Sequence, residues 1–98
     1  MQFSGFDWDD ANWPKCGKHG VSKEEIESLL LSRPRVLPDR TPGLTETRYN
    51  AVGQDADGRY LFVVVTLRTT DAGTLVRPIS ARHMHEKESR RYEQTREA

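Results

Sequence analysis

The sequence contains a single cysteine, Cys16, and therefore cannot form an internal disulfide. It also lacks an apolar run long enough to cross a membrane, and its N-terminal stretch does not resemble a signal peptide. Neither sign of charge is in excess, because 15 Lys and Arg residues balance 15 Asp and Glu residues. We therefore expect a protein of the reducing cytoplasm with no membrane partner. Its net charge of zero gives no indication of a polyanionic partner.

Apolar residues are scarce as well, at 35% of the chain, whereas charged residues make up 31%. Globular domains usually contain about 45 to 50% apolar residues. A chain of 98 residues buries only about 60 to 65% of its unfolded surface. We expect a single domain over residues 1–98, with one two-layer core and some of its stability supplied by a partner.

The most hydrophobic stretch runs from Arg59 to Arg68 and is rich in β-branched residues, which predicts a strand covered on both faces. A second run, from Thr74 to Arg82, follows a turn signal at residues 71–73, so the two runs predict an antiparallel hairpin. A register shift of one residue would reverse every side chain. Whether Arg68 and Arg82 share a face therefore stays open.

Two helices are expected before this hairpin. The first begins either at residues 8–9, with an aspartate cap, or at residues 13–14, with proline in the first position, and it ends at the Lys-His-Gly of residues 18–20. The second has a capping box at residues 22–25 and stops at Pro34. The capping box is the clearer of the two signals.

The remaining segments predict short strands and one more helix. Residues 3–8 form a weak first strand, residues 35–38 an edge strand bounded by proline, and residues 48–53 the strand before the central one. A C-terminal helix follows the hairpin, with only Met84 and Tyr92 to bury. A helix this polar is either loosely docked or covered by another chain.

Several blocks of the sequence, taken in order, form a recognisable pattern: Phe6-x-Trp8-Asp9, Asn12-x-x-Lys15, Lys18-His19-Gly20-Val21-Ser22-x-Glu24-Glu25-Ile26, Gly58-Arg59, Val63-Val64-x-Thr66-x-Arg68, Ile79-Ser80-Ala81-Arg82 and Glu88-x-x-x-Tyr92. Together these blocks resemble the BrnT toxin family. The Lys-His-Gly-Val-Ser and Ile-Ser-Ala-Arg blocks are the most specific. The sequence departs from the family pattern at Cys16 and His85.

This resemblance implies an α+β, RelE-like fold, a small antiparallel sheet with two N-terminal helices and one C-terminal helix. It also implies a ribonuclease toxin that requires no metal and is neutralised by a DNA-binding antitoxin. By position, Lys18 and His19 match the family's helix-end motif, and Arg68 and Arg82 match the arginines of the strand and of the Ile-Ser-Ala-Arg block.

Cleavage of RNA without a metal needs a base for the 2′-OH, cations for the phosphate and an acid for the leaving oxygen. Arginine suits the phosphate because its planar guanidinium makes bidentate contacts, which favours Arg68, Arg77 and Arg82. Solvated arginines, or arginines paired with Asp or Glu, explain the same residues structurally. His19 is the leading acid–base candidate, although a helix-capping histidine fits it equally well, and His85 is the alternative.

Three further residues are candidates for RNA binding. Lys15 and Lys18 are three residues apart and can contact the phosphate backbone from one helix face, although solvated lysines explain them equally well. Trp13 can stack on an unpaired base, but a role in the core is the stronger expectation.

A metal site is the competing interpretation. Cys16-x-x-His19 and His83-x-His85 together supply four ligands of the type that zinc binds, but the two pairs would have to converge from distant parts of the chain.

The sequence thus predicts a cytoplasmic, metal-independent endoribonuclease toxin without a cofactor, which cleaves cellular RNA to inhibit translation and growth. Its partner is expected to be a BrnA-like ribbon-helix-helix antitoxin, through which alone it would reach operator DNA. The alternatives are a catalytically silent interaction module that keeps antitoxin binding and, less favoured, a small zinc-binding structural domain.

Overall fold

A computed structural model describes residues 2–97 of the chain, with side chains through residue 95. Its strands are β1 (Gly5–Phe6), β2 (Arg35–Pro38), β3 (Tyr49–Gln54), β4 (Tyr60–Thr70) and β5 (Gly73–His83), and its α-helices are α1 (Lys23–Leu31) and α2 (Glu86–Glu97). All five strands form one sheet in the order β1-β5-β4-β3-β2. β1 runs parallel to β5, and the other neighbouring pairs are antiparallel.

The expected small antiparallel sheet with two N-terminal helices is therefore wrong. The sheet is mixed because β1, only two residues long, pairs with the distant β5 and not with a neighbour in sequence. In place of the first helix, a turn leads into a three-residue 3-10 helix at Lys15–Gly17. Pro14 explains the difference, because proline has no N–H to donate and a regular helix cannot continue through it.

The β4–β5 hairpin predicted from the apolar runs is confirmed, with 11 residues in each strand. Its register is irregular at one point. Val64 lies opposite Ser80 and Val65 opposite Pro78, so Ile79 is an extra residue, a β-bulge. Pro78 suits this position because a proline inside a sheet is tolerated where the ladder is interrupted.

Helix α1 covers one face of the sheet and forms the core with it. Its capping box is confirmed, since Ser22 Oγ accepts from Glu25 N at 3.1 Å and Glu25 Oε1 accepts from Ser22 N at 3.0 Å. The core is built from apolar side chains that are almost fully buried: Cys16, Val21, Ile26, Leu29, Leu30, Ala51, Leu61, Val63, Val65, Val76 and Ala81. Alternate residues of β4 supply its centre, as the pleat of a strand requires.

Helix α2 packs against the other face. The Tyr92 ring meets the ring of Tyr60 edge to face, with centroids 5.2 Å apart, and Arg35 lies 5.8 Å from the centroid of the Tyr92 ring. Tyr92 therefore attaches this polar helix to the sheet, as its position in the sequence predicts. Within residues 2–97, no helix combines the length and apolarity needed to span a bilayer.

Candidate functional site

The three arginines proposed for phosphate binding lie on the same face of the sheet, opposite α1. Arg82 pairs with Phe62 and Arg77 with Thr66, and Arg68 follows Thr66 by two residues, so all three side chains project to one side. We call this surface, defined by Arg68, Arg77 and Arg82, the arginine face. The bulge at Ile79 creates this shared face. Arg77 and Arg82 are five residues apart in β5, and in a regular strand two such residues would point to opposite faces.

The arginine face has two separate parts. Arg68 and Arg77 lie at the turn end of the hairpin and share one carboxylate, Asp7, whose Oδ2 is 3.4 Å from Arg68 Nε and 3.3 Å from Arg77 Nη1. Arg82 lies at the level of Phe62, six residues along β4 from Arg68, which places the two backbones about 20 Å apart. With Arg68 turned to Asp7 and Arg82 turned to Glu88, the two guanidinium groups form separate binding points.

Arg77 is the more enclosed of the first pair. Its guanidinium donates to both oxygens of Asp9, at 2.9 and 3.0 Å, and only 11% of its side chain is exposed, against 54% for Arg68. The hydrogen bond from Arg77 lowers the pKa of Asp9 and raises that of the arginine, so the pair stays charged. Arg68 is thus the side chain of this part that solvent reaches most freely.

Arg82 forms a bidentate ion pair with Glu88 of α2, with N–O distances of 2.7 and 2.9 Å. Its guanidinium also lies 4.9 Å from the centroid of the Phe62 ring. The hydrogen bond from Arg82 holds the pKa of Glu88 below its ordinary value of 4.5. His85 is exposed, and its backbone N–H donates to Glu88 Oε1 at 3.3 Å. Arg82, Glu88 and His85 thus form one cluster.

The other predicted site residues lie on the segment before α1. Lys15, Lys18 and His19 are exposed there. Trp13 is half-buried and packs edge to face on Trp8, 5.6 Å between centroids, as the core interpretation predicts. Within the described part of the chain, no hydrogen bond or ion pair joins His19 to any of the three arginines.

Asn12 is a residue whose importance the sequence did not reveal. Its side chain is 3% exposed, donates to the carbonyls of Asp7 and Pro78, each at 2.9 Å, and accepts from Asp9 N at 2.8 Å. It thereby holds the segment with the two aspartates against β5 at the bulge, within reach of Arg77. Asn12 stands in one of the family blocks, which was the available signal, but its partner Pro78 is 66 residues away in sequence.

The four ligands of the zinc interpretation are not brought together. Cys16 is buried in the core, and burial raises the pKa of its thiol. His19 and His85 are exposed, whereas His83 lies 3.2 Å from Asp55. Over the described side chains, the one group of three or more potential ligands is Glu25, Asp55 and His83.

Fold and site together describe a small mixed-sheet protein with one arginine-bearing face, a surface chemically suited to phosphate groups. A family model described as "Ribonuclease toxin, BrnT, of type II toxin-antitoxin system" matches residues 8–88. The chain therefore belongs to the BrnT family of ribonuclease toxins, and an antitoxin is the partner that membership in a toxin–antitoxin system implies. A search of curated proteins found no match.

Proposed function

We propose that the chain is a cytoplasmic, metal-independent endoribonuclease that cleaves cellular RNA, inhibiting translation and growth, until a BrnA-like ribbon-helix-helix antitoxin neutralises it. The observation that supports this beyond family membership is the alignment of Arg68, Arg77 and Arg82 on one face of the sheet. Two phosphate-binding points whose backbones lie about 20 Å apart suit a polymer with phosphates at regular intervals better than a single small anion.

We place the chemistry at the cluster of Arg82, Glu88 and His85. In the proposed reaction, a base removes the 2′-OH proton, the freed oxygen attacks the adjacent phosphorus, and the bond to the leaving 5′ oxygen breaks as an acid protonates that oxygen. Arg82 would exchange the two carboxylate oxygens of Glu88 for two phosphate oxygens, since a carboxylate and a phosphate accept the same bidentate pair of hydrogen bonds. His85, exposed beside this pair, or His19 from the N-terminal segment, would transfer protons.

The remaining site residues would bind the RNA strand away from the cleaved bond. Arg68, more than half exposed, is positioned to contact a second phosphate, and Arg77 could join it by releasing Asp9. Lys15 and Lys18 are exposed beside the segment that carries Trp13, whose half-buried ring would stack on an unpaired base through its solvent-exposed part.

RNA cleavage by the purified chain in EDTA tests this proposal. The chain is expected to cleave a mixed single-stranded RNA internally and to leave 2′,3′-cyclic phosphate ends. A matched oligonucleotide with 2′-deoxyribose throughout should remain intact, because it lacks the attacking hydroxyl. Cleavage that requires an added divalent cation, or that proceeds equally on the deoxy substrate, would contradict the proposal.

The antitoxin proposal has its own test. The polar helix α2 and the small apolar fraction of the chain suit a protein that is covered by a partner. We expect a ribbon-helix-helix antitoxin to form a stable complex with the chain, to suppress cleavage and to carry the complex to operator DNA. Absence of association at micromolar concentrations of both proteins would contradict this.

A second candidate, a silent interaction module, is favoured by two observations. Arg77 and Arg82 already hold carboxylates in bidentate pairs, and the formal net charge is zero. A module of this kind would bind the antitoxin and leave RNA intact. Intact RNA from a folded chain that still forms the complex would select this candidate.

A further inference from the structure

A second cluster of polar side chains lies on the opposite side of the sheet from the arginine face. Glu25 comes from the first turn of α1, Asp55 from the turn between β3 and β4, and His83 from the end of β5. His83 pairs with Leu61, whose side chain points into the core, so this cluster lies on the α1 side. One ligand atom from each of the three lies within 4.8 Å of the others.

The two carboxylates are held by backbone donors, each through one oxygen. Asp55 Oδ1 accepts from the backbone N–H groups of Asp57 and Arg59, both at 2.9 Å, and Glu25 Oε1 accepts from Ser22 N. Each carboxylate therefore has a second oxygen that the backbone does not use. His83 Nε2 already faces Asp55 Oδ2 at 3.2 Å. The backbone N–H groups that fix these carboxylates are the kind of outer support that metal ligands need.

The surroundings of the cluster are strongly anionic. Asp55 and His83 have only 9% and 16% of their side chains exposed. A cavity of about 430 Å³ adjoins Glu25 and Asp55, and its lining includes four carboxylate residues, Glu24, Glu25, Asp55 and Asp57, but no lysine or arginine. A single imidazole cannot balance this charge, whereas a divalent cation would neutralise two carboxylates and leave the histidine neutral.

We propose that Glu25, Asp55 and His83 bind one Zn²⁺ ion. An imidazole nitrogen with two carboxylate oxygens is a ligand set for zinc, whereas Mg²⁺ and Ca²⁺ prefer oxygen alone. The ion would take one ligand atom from each residue and one water from the cavity. Because the ligands come from α1, the β3–β4 turn and β5, the ion would tie these three elements together.

This zinc site is independent of the proposed ribonuclease function. Its ligands lie across the sheet from the arginine face, so RNA cleavage should proceed at the same rate with zinc bound and after EDTA has removed the zinc. The effect of zinc would appear in binding and thermal stability. The two proposals can therefore fail separately.

Calorimetric titration of the EDTA-treated chain with ZnCl₂, paired with thermal unfolding, tests the site. We expect one zinc per chain and a rise in Tm of about 5 °C or more at saturating zinc. Glu25→Gln is the most informative variant, because a glutamine at this position keeps the capping hydrogen bond and loses the carboxylate. His83→Gln removes the imidazole, and both variants should lose the binding and the Tm rise.

His85→Ala is the matched control, since it removes an exposed histidine two residues away and should bind zinc like the parent. Absence of zinc binding by the parent at micromolar concentrations would overturn the proposal. Binding that persists in folded Glu25→Gln and His83→Gln, or that disappears in His85→Ala, would overturn it as well.

Discussion

Asn12 attaches the N-terminal segment to β5, so its replacement by alanine should destabilise the protein strongly. The side chain is almost fully buried and makes three hydrogen bonds to backbone groups of Asp7, Asp9 and Pro78. Alanine can replace none of them and leaves the carbonyl of Pro78 without this buried donor. At about 1 kcal/mol of net stability for each hydrogen bond, the loss should be about 3 kcal/mol.

Urea denaturation followed by circular dichroism measures this loss. Asn50→Ala is the matched control, because Asn50 Oδ1 is buried without a hydrogen-bond partner in the described structure. Removing a side chain whose carbonyl oxygen is already unsatisfied should cost less than about 1 kcal/mol. Equal destabilisation by the two asparagine replacements, or a loss below 1 kcal/mol (about one hydrogen bond) in Asn12→Ala, would refute the reasoning.

Three further predictions concern stability. Arg82 holds the pKa of Glu88 below its ordinary value of 4.5, so the Arg82–Glu88 pair stabilises the fold above pH 4.5 and loses this effect as the pH falls through the lowered pKa. In a series of urea denaturations at decreasing pH, Glu88→Gln should therefore lose less stability in acid than the parent. Gly17→Ala places a methyl group 2.9 Å from the Trp13 ring and should cost about 1 to 3 kcal/mol, whereas Gly5→Ala meets only an ordinary 3.4 Å contact and should cost less. Ser22→Ala removes the cap of α1 and should lower the unfolding free energy by about 1 kcal/mol.

Features encoded by adjacent residues could be predicted from the sequence. The capping box of α1 needs only residues 22–25, and the edge strand Arg35–Pro38 is bounded by its own prolines, so both were predicted correctly. The hairpin also followed from two apolar runs and a turn. Local chemistry determines each of these elements.

Features that depend on distant partners could not be predicted. β1 is two residues long and exists because it pairs with β5, about seventy residues later in sequence. The shared face of the arginines depends on the bulge at Ile79, for which a proline inside a central strand was the one available sign. Arg77 likewise meets its partner Asp9, and His83 its partner Asp55, only when the chain has folded.

The most direct test of the proposed function is the rate of RNA cleavage in EDTA, compared among the parent chain, Arg82→Ala and Arg59→Ala. Arg59 is an exposed arginine in the turn before β4, and alanine there keeps the backbone N–H that binds Asp55. We expect the parent and Arg59→Ala to cleave at similar rates, and folded Arg82→Ala to be slower by about 100-fold or more. Cleavage by folded Arg82→Ala at the parental rate would contradict the assignment of the arginine face as the phosphate site.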